Sequence, residues 1–155
     1  MRQKYVKDDM ILNEKGIIKQ FNLVIYPVDF VVAIGDVKKE LEKVYKPADD
    51  KYVGFGTPTE ENPGKTFEAM EIETDIPCSM IWIKDLESCR GSYICHEVGH
   101  SALDIFGFIG AEVDVSNQEP FTYLLGTLYR LANETFNEYK DYIESKKSKS
   151  KTKKN

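Results

Sequence analysis

The only two histidines of the chain lie four residues apart, in the pentapeptide His96-Glu97-Val98-Gly99-His100. On a helix this spacing places both imidazoles on one face, about one turn apart, where a single tetrahedral metal ion can accept both. Glu97 lies beside them, in the position from which a carboxylate acts as general base on a metal-bound water. We therefore predict a Zn²⁺ site on His96 and His100, with Glu97 as its base. The alternative is that this HExxH pattern is a chance match in a helix that binds no metal.

A catalytic zinc ion usually has three protein ligands and a water, so the two histidines leave one ligand to be found. Since the chain has no third histidine, we expect a carboxylate. Glu119, 19 residues after His100 and at the predicted start of the next helix, is our candidate, with Glu112 and Asp114 as alternatives. In another interpretation, Ser116-Asn117-Gln118-Glu119 forms a capping box, and Glu119 only accepts backbone hydrogen bonds.

Three further residues lie on the same helix faces as the predicted metal ligands. Asp104 lies four residues after His100 but too far along the helix axis from His96 to bind the same metal ion. We predict that it hydrogen-bonds the imidazole of His100, the alternative being a solvated acid on the helix surface. Tyr123 and Arg130 lie on the face of Glu119, and either is predicted to stabilise the oxyanion of a reacting carbonyl.

The length of 155 residues predicts one domain, over residues 1–143, and the pattern of apolar residues predicts that it is mixed α+β. Ile94, Val98, Ala102 and Ile105 form a core stripe on the motif helix, with the histidines on another side. The segment Cys78–Lys84 is apolar on both faces, as expected of a strand that is covered on both sides. The predicted elements have the order β-α-β-β-α-α. They are a strand over Phe21–Val28, a helix from Asp36 to before Pro47, a loop over 47–65, strands over Thr66–Glu73 and Cys78–Lys84, the motif helix from Ser88 or Ser92 to about Phe106, and a helix from about Glu119 to Ile143.

The charge of the chain is unevenly distributed. The whole chain carries −5, and residues 146–154 carry six lysines and no acid, so the remainder carries −11. We predict a disordered, solvated tail over residues 144–155. A nucleic acid or an acidic partner is expected to bind only through this tail, because the acidic body disfavours DNA across the domain.

Neither a membrane segment nor a secretion signal is visible, because the apolar runs are short and the first residues are charged. The three cysteines, Cys78, Cys89 and Cys95, form no CxxC pair, and their odd number is typical of a reducing compartment. We expect a cytoplasmic protein with buried thiols, the alternatives being zinc ligation or a disulfide.

The motif histidines followed by Glu119 at the start of the next helix resemble the gluzincin metallopeptidases, the thermolysin-like clan. A closer likeness, over about residues 20–143, is to short HExxH proteins encoded by bacteriophages. Two segments carry it, Tyr26-Pro27 and Gln118-Glu119-Pro120-Phe121-Thr122-Tyr123-Leu124-Leu125-Gly126.

This resemblance implies a minimal zincin-like fold, in which a small sheet packs on the motif helix and on a following glutamate-bearing helix. It also implies zinc bound by His96, His100 and Glu119, and hydrolysis of a peptide bond with Glu97 as general base. Full-size gluzincins have a second, mostly helical domain across the cleft, and we expect none within these 155 residues. The alternative is a non-catalytic virion or host-interaction protein that keeps a structural zinc site. A phage origin implies the host cytoplasm or the virion as the compartment.

Overall fold

The computed structural model describes residues 11–152, which form one mixed α+β unit with a curled six-stranded sheet and three helices. The sheet has the strand order β1-β2-β3-β6-β5-β4, and only β3 and β6 pair in parallel. The strands are β1 Ile11–Asn13, β2 Gly16–Phe21, β3 Asp29–Gly35, β4 Tyr45–Pro47, β5 Gly64–Glu71 and β6 Pro77–Ile83. The helices are α1 Lys38–Val44, α2 Gly91–Phe108 and α3 Glu119–Thr152.

The two central strands are covered on both faces of the sheet. Every residue of β3 is buried, and in β6 only Pro77 is partly exposed. α2 and α3 pack on one face, whereas α1 and the loop that contains Phe55 pack on the other. The prediction of a doubly covered strand near Cys78–Lys84 is therefore confirmed.

Helix α2 packs on the sheet through the predicted stripe. Ile94, Val98, Ala102 and Ile105 are each at most 2% exposed. The helix ends in a Schellman motif, in which the Ala111 N–H donates to the Phe106 carbonyl and Gly110 has φ of +69°. No side chain caps its start: the N-cap is Arg90, so the predicted serine cap is absent.

The prediction of a strand over Phe21–Val28 is wrong. The strands here are β2, which ends at Phe21, and β3, which begins at Asp29, and the residues between them form an irregular connection. The Asn22 side chain accepts a hydrogen bond from the Val24 N–H, and Val24 has φ of +57°. An asparagine that bonds two residues ahead in this way competes with strand pairing, and Pro27 has no N–H to donate. The β-forming side chains of this segment therefore lie in a turn.

Helix α3 includes much of the segment that we predicted to be disordered. It continues through the lysine-rich residues 144–152, and only 153–155 of the predicted tail lie outside the described residues. Lysine is a good helix former, and neither glycine nor proline interrupts this stretch. The hydroxyls of Ser145, Ser148 and Ser150 donate to backbone carbonyls three or four residues earlier. Within residues 11–152, no helix combines the length and apolar character needed to cross a membrane.

Candidate metal centre

The two motif histidines converge on one point beside α2. Both imidazoles are exposed, and their Nε2 atoms lie 3.1 Å apart. The ring centroids are 4.7 Å apart and the planes are inclined by 78°. Two nitrogens at about 2.0–2.1 Å from a tetrahedral zinc ion are about 3.3 Å from each other. The separation is close to that of two ligands of one zinc ion, and it is also that of a hydrogen bond between the two rings.

The glutamate between the histidines lies on the adjacent, packed side of the same turn. Glu97 is 6% exposed, and its Oε2 accepts a hydrogen bond of 2.6 Å from the Thr66 hydroxyl on β5. Gly64 makes room for it, because a Cβ at this position would lie 2.9 Å from both Cγ and Oε1 of Glu97. The carboxylate is thus held by a strand as well as by its own helix.

Alternation along β5 explains how this strand reaches α2. Side chains of a strand alternate between its two faces, so Gly64, Thr66 and Glu68 share one face. Thr66 contacts Glu97, and Glu68 acts electrostatically on Asp104. Successive turns of α2 therefore lie above successive residues of this face.

Asp104 lies farther along the same helix and is half-buried. Burial, and secondarily the nearby Glu68 carboxylate, raise the pKa of Asp104, whereas His100 and a hydrogen bond from Ser79 act in the opposite direction. The Ser79 and Ser101 hydroxyls also lie within hydrogen-bond distance, 2.9 Å apart. The charge of His100 thus acts on Asp104. A direct hydrogen bond between their side chains is not found within residues 11–152 and stays a prediction.

The residues predicted on α3 lie apart from this arrangement. Among residues 11–152, no three or more His, Cys, Asp or Glu side chains are grouped as a metal site. The carboxylate of Glu119, in the exposed first turn of α3, has no hydrogen bond or ion pair within the described range. Tyr123 is 74% exposed, and Arg130 pairs with Glu134 at 2.8 Å. The roles of Glu119, Tyr123 and Arg130 therefore stay predictions.

The connection before α3 bears on the alternatives for Glu119. The Asp114 carboxylate accepts hydrogen bonds from the Ser116 hydroxyl and from the N–H groups of Ser116 and Asn117. The bonds from Ser116 are the main cause that lowers the pKa of Asp114. Ser116 thus bonds Asp114, and a capping box with Glu119 is not found among the described residues. Glu112, the other alternative ligand, is exposed.

The three cysteines differ in their surroundings. Cys78 and Cys89 are buried, as predicted, whereas Cys95 is exposed. The prediction of a buried thiol is therefore wrong for Cys95, because the core stripe of α2 leaves this side of the helix in solvent. All three are free thiols, and burial raises the pKa of Cys89 to about 12.

Thr66 and Gly64 are the residues of this centre that the sequence did not single out. The alternation of β5 indicates that they share a face. Which helix lies over that face depends on the strand order, and no spacing within the chain encodes it.

Comparisons of the chain with protein-family models, with curated proteins and with solved structures found no match. The likeness to gluzincins therefore rests on the residues of the motif and of the segment around Glu119.

Proposed function

We propose that the chain is a minimal, zincin-like zinc metallopeptidase that hydrolyses a peptide bond. The observation that carries this proposal is one turn of α2, which presents two converging imidazole nitrogens to solvent and a buried carboxylate beside them. A structural zinc site needs no general base and is usually closed by a fourth protein ligand. The exposed pair with an adjacent base is therefore better suited to hydrolysis.

In this proposal His96 and His100 hold the metal, and Glu119 completes the ligand set. Zinc held there would supply a water of lowered pKa and a Lewis acid for the scissile carbonyl. Glu97 accepts a proton from the water and transfers it to the amine nitrogen that leaves. Since Thr66 donates to Oε2, the Oε1 atom of Glu97 is left to accept that proton.

Within residues 11–152, no further strand lies along the edge of β5 before Glu68, and this edge is the proposed binding surface for an extended substrate. β4 pairs with β5 only from Glu71 back to Ala69, and the next contact is from the Ala48 N–H to the Glu68 carbonyl. The Glu68 carbonyl points towards this edge. Because the backbone N–H and C=O groups of every second residue of a strand point to the same side, those of Thr66 point towards the edge as well. A cavity of about 540 Å³ lies along this edge, between the strand and the loop that carries Tyr52. A peptide can add there as a further strand, next to Glu97.

Replacing the base tests this proposal. We expect Glu97→Gln to keep its fold and its zinc but to hydrolyse peptides roughly 10²- to 10⁴-fold more slowly, because an amide cannot accept the proton. Wild type, Glu97→Gln and the exposed control Glu73→Gln are incubated with a peptide library, and the products are quantified by mass spectrometry.

Equal product from wild type and Glu97→Gln would indicate a contaminating protease. With zinc bound, the absence of product from every protein would favour the non-catalytic alternative, in which the zinc site is structural. A role in phage virions or host interactions would then be the hypothesis to pursue.

A further inference from the structure

We propose that Thr66 is a positioning residue, whose hydroxyl fixes the Glu97 carboxylate at the edge of β5 where the substrate binds. This inference rests on the proposed function, because it assigns Thr66 a part in the same reaction. It concerns two residues that are 31 positions apart in the sequence and are brought together by the packing of α2 on the sheet.

The contact has the geometry of a strong hydrogen bond. The distance from Thr66 Oγ1 to Glu97 Oε2 is 2.6 Å, within the range of about 2.5–2.7 Å typical of a hydroxyl bonded to a carboxylate. The same hydroxyl lies 3.2 Å from the backbone carbonyl oxygen of Glu97. Since a hydroxyl has one proton to donate, the short contact to Oε2 identifies the carboxylate as its acceptor.

The surroundings leave Glu97 few other positions. Threonine is branched at Cβ, so its χ1 angle is restricted and its hydroxyl is directed at one place. Gly64, two residues earlier on the same face, lies against the side chain from another side. Glu97 itself is almost fully buried. A general base held in this way is already placed before the substrate arrives, and such placement accelerates the chemical step more than it strengthens binding.

Two substitutions separate positioning from folding. Thr66→Val keeps the shape of the side chain and removes the hydroxyl, whereas Thr66→Ser keeps the hydroxyl. We expect Thr66→Val to lower kcat about tenfold or more with KM changed less than about twofold, and Thr66→Ser to recover kcat to within about threefold of wild type. The matched control is Thr57→Val, at an exposed threonine of the loop before β5.

A double-mutant cycle tests the contact without any substrate or metal. The unfolding equilibrium is measured by denaturant titration in a chelator for wild type, Thr66→Val, Glu97→Ala and the double variant of the full chain. We expect the two effects to be non-additive by about tenfold or more in the unfolding equilibrium constant, as for a hydrogen bond to a charged group.

Additive effects within about twofold, or a kcat for Thr66→Val equal to that of wild type, would overturn the positioning role. If wild type hydrolyses no peptide, the proposed peptidase function fails, and the cycle alone decides whether Thr66 holds Glu97. If Glu97→Gln is inactive and Thr66→Val is fully active, the peptidase function stands and the positioning role fails. The two proposals can therefore fail separately.

Discussion

The motif turn of α2 and the first turn of α3 are the two halves of the proposed metal site, and they are fixed to different degrees. In α2, the stripe residues are at most 2% exposed, and Glu97 is bonded to a neighbouring strand. In α3, Glu119 and Pro120 are exposed and Tyr123 is 74% exposed, so fully buried packing begins only at Leu124. The clearest anchor of the first α3 turn is Phe121, whose ring lies edge-on to Phe106 at a centroid distance of 5.4 Å.

Because α2 is packed and the first turn of α3 is exposed, the two halves of the proposed site differ in how firmly they are held before a metal ion binds. Side chains on a packed helix are held in place before a ligand arrives, whereas an exposed first turn is among the first parts of a helix to fray. The base, and the helix backbone that carries the two imidazoles, are therefore held in place before a metal ion binds. The proposed third ligand, Glu119, lies in a turn that metal binding would order, so part of the binding free energy of the metal would stabilise that turn.

The largest expected effect is on the packed half. We predict that His100→Ala lowers the zinc content of the purified protein from about one ion per chain to less than about 0.1, because a single imidazole cannot hold the ion. His96→Ala is expected to behave in the same way. Zinc is measured by mass spectrometry on protein purified without added metal or chelator.

The neighbouring thiol provides the control for this prediction. Cys95→Ser changes an exposed potential ligand directly beside His96 and is expected to keep its zinc. Retention of zinc by His100→Ala would contradict the assignment of His100 as a ligand, and loss of zinc in Cys95→Ser would make Cys95 a further ligand.

The second effect concerns the exposed half. We predict that Glu119→Gln weakens zinc binding by about 100-fold, because loss of a charged ligand costs at least as much as loss of an outer partner. Glu112→Gln and Asp114→Asn, at the alternative ligands, are expected to change it less than about threefold. Affinity is measured by competition with a chromophoric chelator.

Hydrogen exchange then tests the ordering of α3. If zinc recruits Glu119, the amides of residues 119–123 become more protected when zinc is added, and those of 94–105 change little. If Asp114→Asn lowers the zinc affinity 100-fold and Glu119→Gln does not lower it, the third ligand is Asp114, in the connecting loop.

The same contrast separates what the sequence predicts from what it does not. Ile94, Val98, Ala102 and Ile105 repeat at the helical period, so their burial and the placement of the histidines outside the core follow from local spacing. The contact between Thr66 and Glu97 depends on which strand α2 crosses. Strand order is a property of the whole chain, so this part of the site becomes visible only in the folded structure.

The two misjudged segments have local causes that composition conceals. Val24 and its neighbours have strand-forming side chains, but Asn22 bonds the backbone two residues ahead and turns the chain. The lysine-rich residues 144–152 have the composition of a solvated tail, yet they continue a helix that is already nucleated by the packed part of α3. In both cases a neighbouring segment determines the conformation, and the composition of the segment alone does not.

The smallest expected effect is a difference among the three thiols, and it tests whether α2 is as firmly packed as this comparison requires. We predict that at pH 8 one thiol per folded chain, that of Cys95, reacts rapidly with a disulfide reagent, and that all three react in denaturant. Cys95 is exposed, whereas burial raises the pKa of Cys89 to about 12, so almost none of it is thiolate at that pH. Cys95→Ser should remove the fast phase and leave the slow one unchanged. Fast reaction of Cys89 in the folded protein would mean that the segment leading into α2 opens readily, and the contrast with α3 would then be lost.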